Sequence, residues 1–247
     1  MIGLILAGGR GTRLSSVVPD KPKPMADVMG HPFLSYQLEY LIFQGIKQVY
    51  ISIGYLGEQI KNFYGNKYKN LEVFYIQEVN LLGTGGAIRY AVQEIQKKIK
   101  NLASCLILNG DTFCNLDLNL FKNFFIETQA DIAIGLVCVE NTSRYGAVVL
   151  DAQHKKIQTM GEKTQTGPGW INAGVYLISP KIMHYLLNIP EEVFSWETAV
   201  LMPAKSLGFN LFGFCSEAKF IDIGIPEDYQ KSQILLPQWM PINLNKN

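Results

Sequence analysis

The chain contains no apolar run approaching the roughly 18 residues that a membrane span requires, so no segment reads as membrane-spanning. It has no excess of either charge: 22 Lys and Arg stand against 21 Asp and Glu, a net charge of +1 over 247 residues. That balance gives no footing for nucleic acid or an anionic membrane, and any positive potential must be local. Cysteine is sparse. Cys105, Cys114, Cys138 and Cys215 are scattered, form no C-x-x-C pair, and in two cases sit in apolar strand-like runs. They are expected to be free thiols of a cytosolic protein rather than disulfides or zinc ligands. His31, His154 and His184 stand apart from any Cys, Asp or Glu cluster and read as surface or structural residues. No basic stretch or cleavage site precedes the first apolar run at Ile2, so no signal peptide is expected, and the expected location is cytoplasmic. Internal repeats and low-complexity linkers are also missing. What is present is an apolar fraction of 48%, enough for a substantial core.

The most informative stretch is Ile2–Arg13, I-G-L-I-L-A-G-G-R-G-T-R, read with Pro22-Lys23-Pro24-Met25. Ile2 to Leu6 reads as a buried strand that feeds straight into Gly8, Gly9 and Gly11, with Arg10 and Arg13 interleaved. Successive backbone N–H groups in such a turn make a concave anion site. The two arginines add fixed charge suited to phosphate. Lys23, held between two prolines, sits on a stiff extended segment. No G-x-x-x-x-G-K-[ST] string occurs, and the third glycine of a G-x-G-x-x-G pattern counted from Gly9 is Leu14. The glycines alone would also suit an ordinary strand-to-helix turn.

Downstream the pattern alternates. Pro32 to Gly45 has helical spacing, Val49 to Ile53 is a strand, Glu58 to Tyr64 a short helix, and Leu71 to Ile76 a strand. A glycine-bearing loop, Glu78 to Gly86, leads into a helix from Ala87 to about Ile99, followed by a strand at Cys105 to Leu108. Strands alternating with helices predict right-handed βαβ units and a parallel sheet. The second half predicts strands at Ile132–Val139, Ala147–Leu150, Ile157–Met160, Ile171–Ile178, Leu211–Cys215 and Phe220–Ile223. Helices are expected to begin at Pro180, near Trp196 and at Pro226. The whole reads as one α/β domain over residues 1–236, with a mixed, mostly parallel sheet flanked by helices. Its first half would extend to about residue 115, and residues 237–247 would form a weakly anchored tail.

Two acids stand out. Asp111 follows an apolar strand directly, which puts it at the carboxyl edge of the sheet, where open α/β folds bind ligands. Asp222 lies inside the apolar run F-I-D-I-G-I-P, where a charge is costly unless paired or holding a metal. Magnesium prefers one or two carboxylates plus phosphate oxygens. A turn cap at Asp111 and a hydrogen-bonded acid at Asp222 explain the same residues equally well. Glu162-Lys163 by itself is a solvated pair. Trp170 and Trp196 suit either core packing or a ligand wall.

The strings L-A-G-G-R-G-T-R-L and K-P-K-P-M, at this separation, resemble the signature of the sugar-1-phosphate nucleotidyltransferases. These enzymes join a nucleoside triphosphate to a sugar 1-phosphate and release pyrophosphate. The resemblance runs from Ile2 to about Gln233 and implies a single Rossmann-like nucleotide-diphospho-sugar transferase fold, the nucleotide half first and the sugar half second. It implies that Leu6, Ala7, Gly8, Gly9, Gly11, Thr12 and Arg13 bind the nucleotide, with Arg13 and the Gly8–Gly11 backbone on the triphosphate. Lys23 would lie by the α-phosphate and Gly110 beside the nucleotide. Glu78, Leu82, Gly83 and Thr84 would lie along the base. Asp111 and Asp222 would be the magnesium ligands. Gly146, Glu162, Lys163, Asn172, Ala173 and Gly174 match sugar-site strings, although Thr164 replaces the proline that usually follows the E-K pair. Arg13, Lys23, Asp111 and Asp222 are the expected catalytic group.

The nucleophile would be the phosphate of the sugar. With a second pKa of about 6 it is largely dianionic at neutral pH and needs no general base. Catalysis would then rest on positioning and charge neutralisation. The combination with L-L-G-T-G-G-A-I, L-N-G-D-T-F and F-I-D-I-G-I-P-E-D-Y most resembles guanylyltransferases acting on D-glycero-α-D-manno-heptose 1-phosphate. The expected partners are therefore GTP and that sugar phosphate, with no nucleic acid and no membrane, and with a homo-oligomer left open. Mannose 1-phosphate with GTP, glucose 1-phosphate with dTTP and N-acetylmuramate 1-phosphate with UTP remain open. So do a non-catalytic nucleotide-sugar sensor and, disfavoured by Leu14, a dinucleotide-dependent oxidoreductase. With no repeat extension after residue 236 in this sequence, a bifunctional acetyltransferase-type member is not expected.

Overall fold

A computed structural model describes residues 1–11, 13–14, 17–153, 155–162 and 167–242, with Glu162 described by its backbone alone. Thr12, His154 and Lys163 lie outside the described residues, as does the side chain of Glu162.

The chain opens with β1 (Ile2–Ala7), a small hairpin of β2 (Asp27–Val28) and β3 (His31–Pro32), and α1 (Phe33–Phe43). Then come β4 (Gln48–Ile53), α2 (Gly57–Tyr64), β5 (Lys67–Tyr68), β6 (Leu71–Gln77), α3 (Gly83–Lys98) and β7 (Cys105–Asn109). Strands β7, β1, β4 and β6 lie side by side and parallel, as the alternating pattern predicts. Their side chains alternate between two cores. Ile5, Ala7, Leu106 and Leu108 face one side with Phe33, Leu38 and Leu41 of α1, while Leu4, Cys105 and Ile107 face the other with Ile88 and Val92 of α3.

The second half continues with β8 (Thr112–Cys114), α4 (Leu118–Glu127), β9 (Ile132–Val139), β10 (Ala147–Leu150), β11 (Ile157–Glu162), β12 (Gly169–Ile178) and α5 (Pro180–Leu187). It ends with β13 (Leu211–Ser216), β14 (Phe220–Asp222) and α6 (Pro226–Trp239). Strand β12 joins the halves: it runs antiparallel to β7 on one side and to β9 on the other, and β13 adds parallel to β9. The result is a mixed sheet with helices on both faces, as expected from the sequence.

Three readings of the sequence are corrected. Helix α3 begins at Gly83 rather than Ala87, because Gly83 to Gly86 pack onto another segment instead of forming an open loop. The sequence reading assigned no helix to Leu118–Glu127, although Asp117 caps it by accepting from the Asn119 and Leu120 amides, and Leu118, Phe121 and Phe125 are buried at helical spacing. Residues 237–242 are not a loose tail: α6 continues through Pro237 to Trp239, and Trp239, Met240 and Ile242 pack against the core.

Candidate active site

A cavity of about 490 Å³ opens at the carboxyl ends of the parallel strands. Its floor is the end of β1, Leu6 and Ala7, beside Asn109, Gly110 and Asp111 after β7. Gly8, Gly9, Arg10, Gly11 and Arg13 form one rim, and Glu78, Leu81, Gly83 and Thr84 after β6 form the other. Lys23 and Gly224 complete it. Of the residues expected along the nucleotide, all but Leu82 and the undescribed Thr12 line this cavity. Leu82 lies behind the lining. Its side chain is buried, its carbonyl accepts from the Phe194 amide, and the neighbouring Leu81, 43% exposed, lines the cavity instead.

The acidic end is built by local structure. Gly110 N donates to Leu6 O (2.9 Å), which closes the turn after β7 over β1. The buried Gln37 of α1 donates through Nε2 to Asn109 O (2.8 Å) and Thr112 O (2.7 Å), pinning the turn that carries Asp111. Pairing of β8 with β14 sets Asp222 opposite Thr112, and Ile223 N donates to Asp111 O (3.0 Å). Two acids separated by 110 residues of sequence are thereby brought to one spot. Lys23, 9% exposed, reaches them from its single helical turn, Lys23–Met25, and donates to Asp111 Oδ2 at 2.6 Å.

Burial first, then the Asp111 carboxylate, push the Asp222 carboxyl above its usual range. Lys23, the Gly224 amide and Arg144 pull it back. Gly224 N donates to Asp222 Oδ1 (2.6 Å), and Arg144 Nη2 lies 3.5 Å from Asp222 Oδ2. Arg144 also pairs with the buried Asp228 of α6 and lies over the Tyr145 ring. Among the described residues, no three His, Cys, Asp or Glu side chains gather into one group. The donor set is two hard carboxylates, which suits a magnesium ion that keeps waters or phosphate oxygens and does not suit a softer metal that needs a protein cage.

On the opposite rim, Glu78 is buried. It accepts from Ser52 Oγ (2.8 Å) and from the Leu82 amide, and desolvation outweighs these bonds to raise its pKa. Of the expected sugar residues, Gly146, Asn172, Ala173 and Gly174 are not part of the cavity lining. Asn172 is engaged internally: Nδ2 donates to Tyr176 Oη (2.9 Å) and Oδ1 accepts from Gly174 N (2.9 Å). Ala173 and Gly174 form a bulge in β12, with Gly174 at φ +72° and a Cβ there only 2.6 Å from Thr112 Oγ1. Gly146 likewise turns at φ +83° against Gly161. Trp196 is core, edge-on to Tyr176, and does not line the cavity. Cys105 and Cys114 are buried free thiols, each raised to about 12 by burial.

Gln37, Ser52, Leu81, Asn109 and Arg144 were not singled out from the sequence. Leu81 lines the cavity, the other four act through partners distant along the chain, and the one local signal was a polar Gln37 amid the apolar face of α1.

This geometry agrees with comparison to known proteins. A family model described as nucleotidyl transferase matches residues 2–235. The chain belongs to the nucleotidyl transferase family. It is 39% identical over 233 residues to D-glycero-alpha-D-manno-heptose 1-phosphate guanylyltransferase of Aneurinibacillus thermoaerophilus, covering 94% of this chain and 97% of that protein. The crystal structure of HddC from Yersinia pseudotuberculosis superposes with a TM-score of 0.82 at 36% identity, covering 94% of this chain and 97% of the other. The same HddC complexed with GMP-PN gives a TM-score of 0.79 at 36% identity, with equal coverage. Family membership removes the dinucleotide oxidoreductase alternative.

Proposed function

We propose that this protein joins GTP to D-glycero-α-D-manno-heptose 1-phosphate in the cytoplasm, giving GDP-heptose and pyrophosphate for bacterial surface polysaccharide. The observation that carries this reading is the Lys23–Asp111 pair in the lining of a cavity rimmed by the Gly8–Gly11 turn, with Asp222 next to that lining, bonded to the Gly224 amide. Full-length similarity to a heptose 1-phosphate guanylyltransferase supports the choice of substrates.

In this reading a phosphate oxygen of the sugar 1-phosphate attacks the α-phosphorus of GTP. A new P–O bond forms, the bond to the β-phosphate bridging oxygen breaks, and pyrophosphate leaves with that electron pair. The dianionic nucleophile carries no proton to remove at neutral pH. The Gly8–Gly11 turn, Arg10 and Arg13 receive the triphosphate, and Lys23 neutralises charge near the α-phosphate. The triphosphate competes with Asp111 for Lys23, so nucleotide binding opens the Lys23–Asp111 pair. Asp111 and Asp222 would hold magnesium, which supplies charge neutralisation to the phosphates when bound. Glu78, Leu82, Gly83 and Thr84 remain the proposed base side, with Leu81 beside them in the cavity lining. Gly146, Glu162, Lys163, Asn172, Ala173 and Gly174 remain the proposed sugar side.

The test is pyrophosphate release with magnesium across GTP, UTP, dTTP, ATP and CTP against heptose, mannose, glucose and N-acetylmuramate 1-phosphates. Release confined to GTP with the heptose phosphate is expected. Preference for another pair would keep the chemistry and replace the substrate. Nucleotide binding without release for any pair would overturn the enzymatic reading.

A further inference from the structure

The second glycine cluster, Gly83-Thr84-Gly85-Gly86, is not shaped by the cavity alone. Its outer side is filled by segment 189–196, which arrives from the second half of the chain. A Cβ at Gly83 would lie 2.6 Å from Phe194 O, one at Gly85 2.3 Å from the Phe194 ring, and one at Gly86 2.6 Å from Glu192 O. These glycines therefore allow one backbone to lie against another.

The contact is bonded as well as close. Gly85 N donates to Phe194 O (2.9 Å), and Gly86 N points at the same oxygen (3.4 Å). The start of α3 thus spends these amides on Phe194 rather than on a phosphate. Phe194 N donates to Leu82 O (3.1 Å), and Trp196 N donates to Thr84 Oγ1 (2.9 Å). One turn into α3, Arg89 donates to Ile189 O (2.8 Å), Glu191 O (2.8 Å) and Glu192 O (3.1 Å), with its guanidinium 5.4 Å from the Phe194 ring centre. One side chain thereby ties three carbonyls within four residues of the incoming segment to the helix.

We propose that segment 189–196 is a strap that fixes the turn Leu81–Thr84 at the cavity rim, with Arg89 and Phe194 as positioning residues for nucleotide affinity and base selectivity. The proposal rests on the reading that this turn faces the nucleobase. Neither Arg89 nor Phe194 lines the cavity, so both act through the turn they hold.

The test measures the Kd of GTP and of inosine triphosphate, which lacks the exocyclic amine, by calorimetry without sugar phosphate. The proteins are the native chain, Arg89→Ala, Arg89→Lys, Phe194→Leu and Leu81→Ala, each with its melting temperature. Alanine is the best helix former, so Arg89→Ala keeps α3. Arg89→Ala is expected to weaken GTP about tenfold or more, the scale on which a misplaced binding group acts, and to narrow the preference for GTP over inosine triphosphate. Arg89→Lys restores only part of this, since an ammonium lacks the fork that reaches three carbonyls. Phe194→Leu keeps the carbonyl bonds and shows the same trend, smaller. Unchanged GTP affinity in Arg89→Ala and Phe194→Leu, with Leu81→Ala weakened, overturns the strap alone. Unchanged affinity in all three overturns the reading of the base-facing turn as well. Equal weakening of both nucleotides in step with a fall in melting temperature reduces Arg89 to a structural residue and also overturns the proposal.

Discussion

The two glycine clusters of this chain look alike in sequence, yet one keeps an open glycine at the cavity and the other is packed throughout. Around Gly9 nothing lies within 4 Å of where a Cβ would stand, and the neighbouring Arg10 and Arg13 are exposed at the cavity rim. Around Gly83, Gly85 and Gly86 the space is already taken by Glu192, Phe194 and Trp196. The first cluster keeps one open position, Gly9, between Gly8, where a Cβ would lie 2.4 Å from Glu78 Oε1, and Gly11, where it would lie 3.0 Å from Lys23 Cβ, whereas all three glycines of the second seat another part of the chain. Glycine in a loop thus signals close approach, and only the surroundings tell what approaches.

The largest effect tests the chemistry served by the open cluster. Asp222→Asn should lower turnover by about a thousandfold, the scale of removing a charged group from a transition state. Its melting temperature should hold, because burial already disfavours the Asp222 charge. Turnover near native would remove Asp222 from the site.

The comparison itself sharpens with a pair of alanines. Gly85→Ala drives a methyl into the Phe194 ring and should cost about 1–3 kcal/mol in urea unfolding, as overpacking does. Gly9→Ala meets no neighbour and should stay within about 0.5 kcal/mol of native while weakening pyrophosphate release. Equal stabilities for the two variants would erase the contrast. Smaller still, Thr84→Val leaves the Trp196 amide without its acceptor and should cost about 1 kcal/mol in the same measurement.

Glu78 links the two clusters and gives a pH test. Burial raises its pKa, so the folded state binds a proton that the unfolded chain releases at the ordinary carboxylate value. Stability from this group is therefore present below the unfolded pKa and falls as pH rises through the folded value. Glu78→Gln removes that dependence. It should melt above native at about pH 7 and lose the advantage at about pH 4, below the unfolded value. A constant difference between the two melting curves across that range would contradict the raised pKa.

Much of the fold was legible because it is local. The parallel strands announce themselves as short apolar runs, and the cluster of Gly8, Lys23, Asp111 and Asp222 was readable from motif strings. What was missed is long-range. Arg144 meets Asp228 across 84 residues and Arg89 meets Ile189 across 100, and no periodicity encodes such pairs. Nor does the sequence show which of the adjacent Leu81 and Leu82 is buried; the structure buries Leu82 and puts Leu81 in the cavity lining. Helix α4 was the avoidable miss, since the Asp117 cap and the buried spacing of Leu118, Phe121 and Phe125 were all in the sequence.

The most direct test of the central claim is pyrophosphate release from GTP and D-glycero-α-D-manno-heptose 1-phosphate, measured side by side for the native chain and Lys23→Ala. Lys23 is buried against Asp111 at the end of the cavity and carries no other assigned role. The account predicts steady magnesium-dependent release by the native protein and near-complete loss in a Lys23→Ala protein that still melts cooperatively. Release undiminished by Lys23→Ala would contradict it.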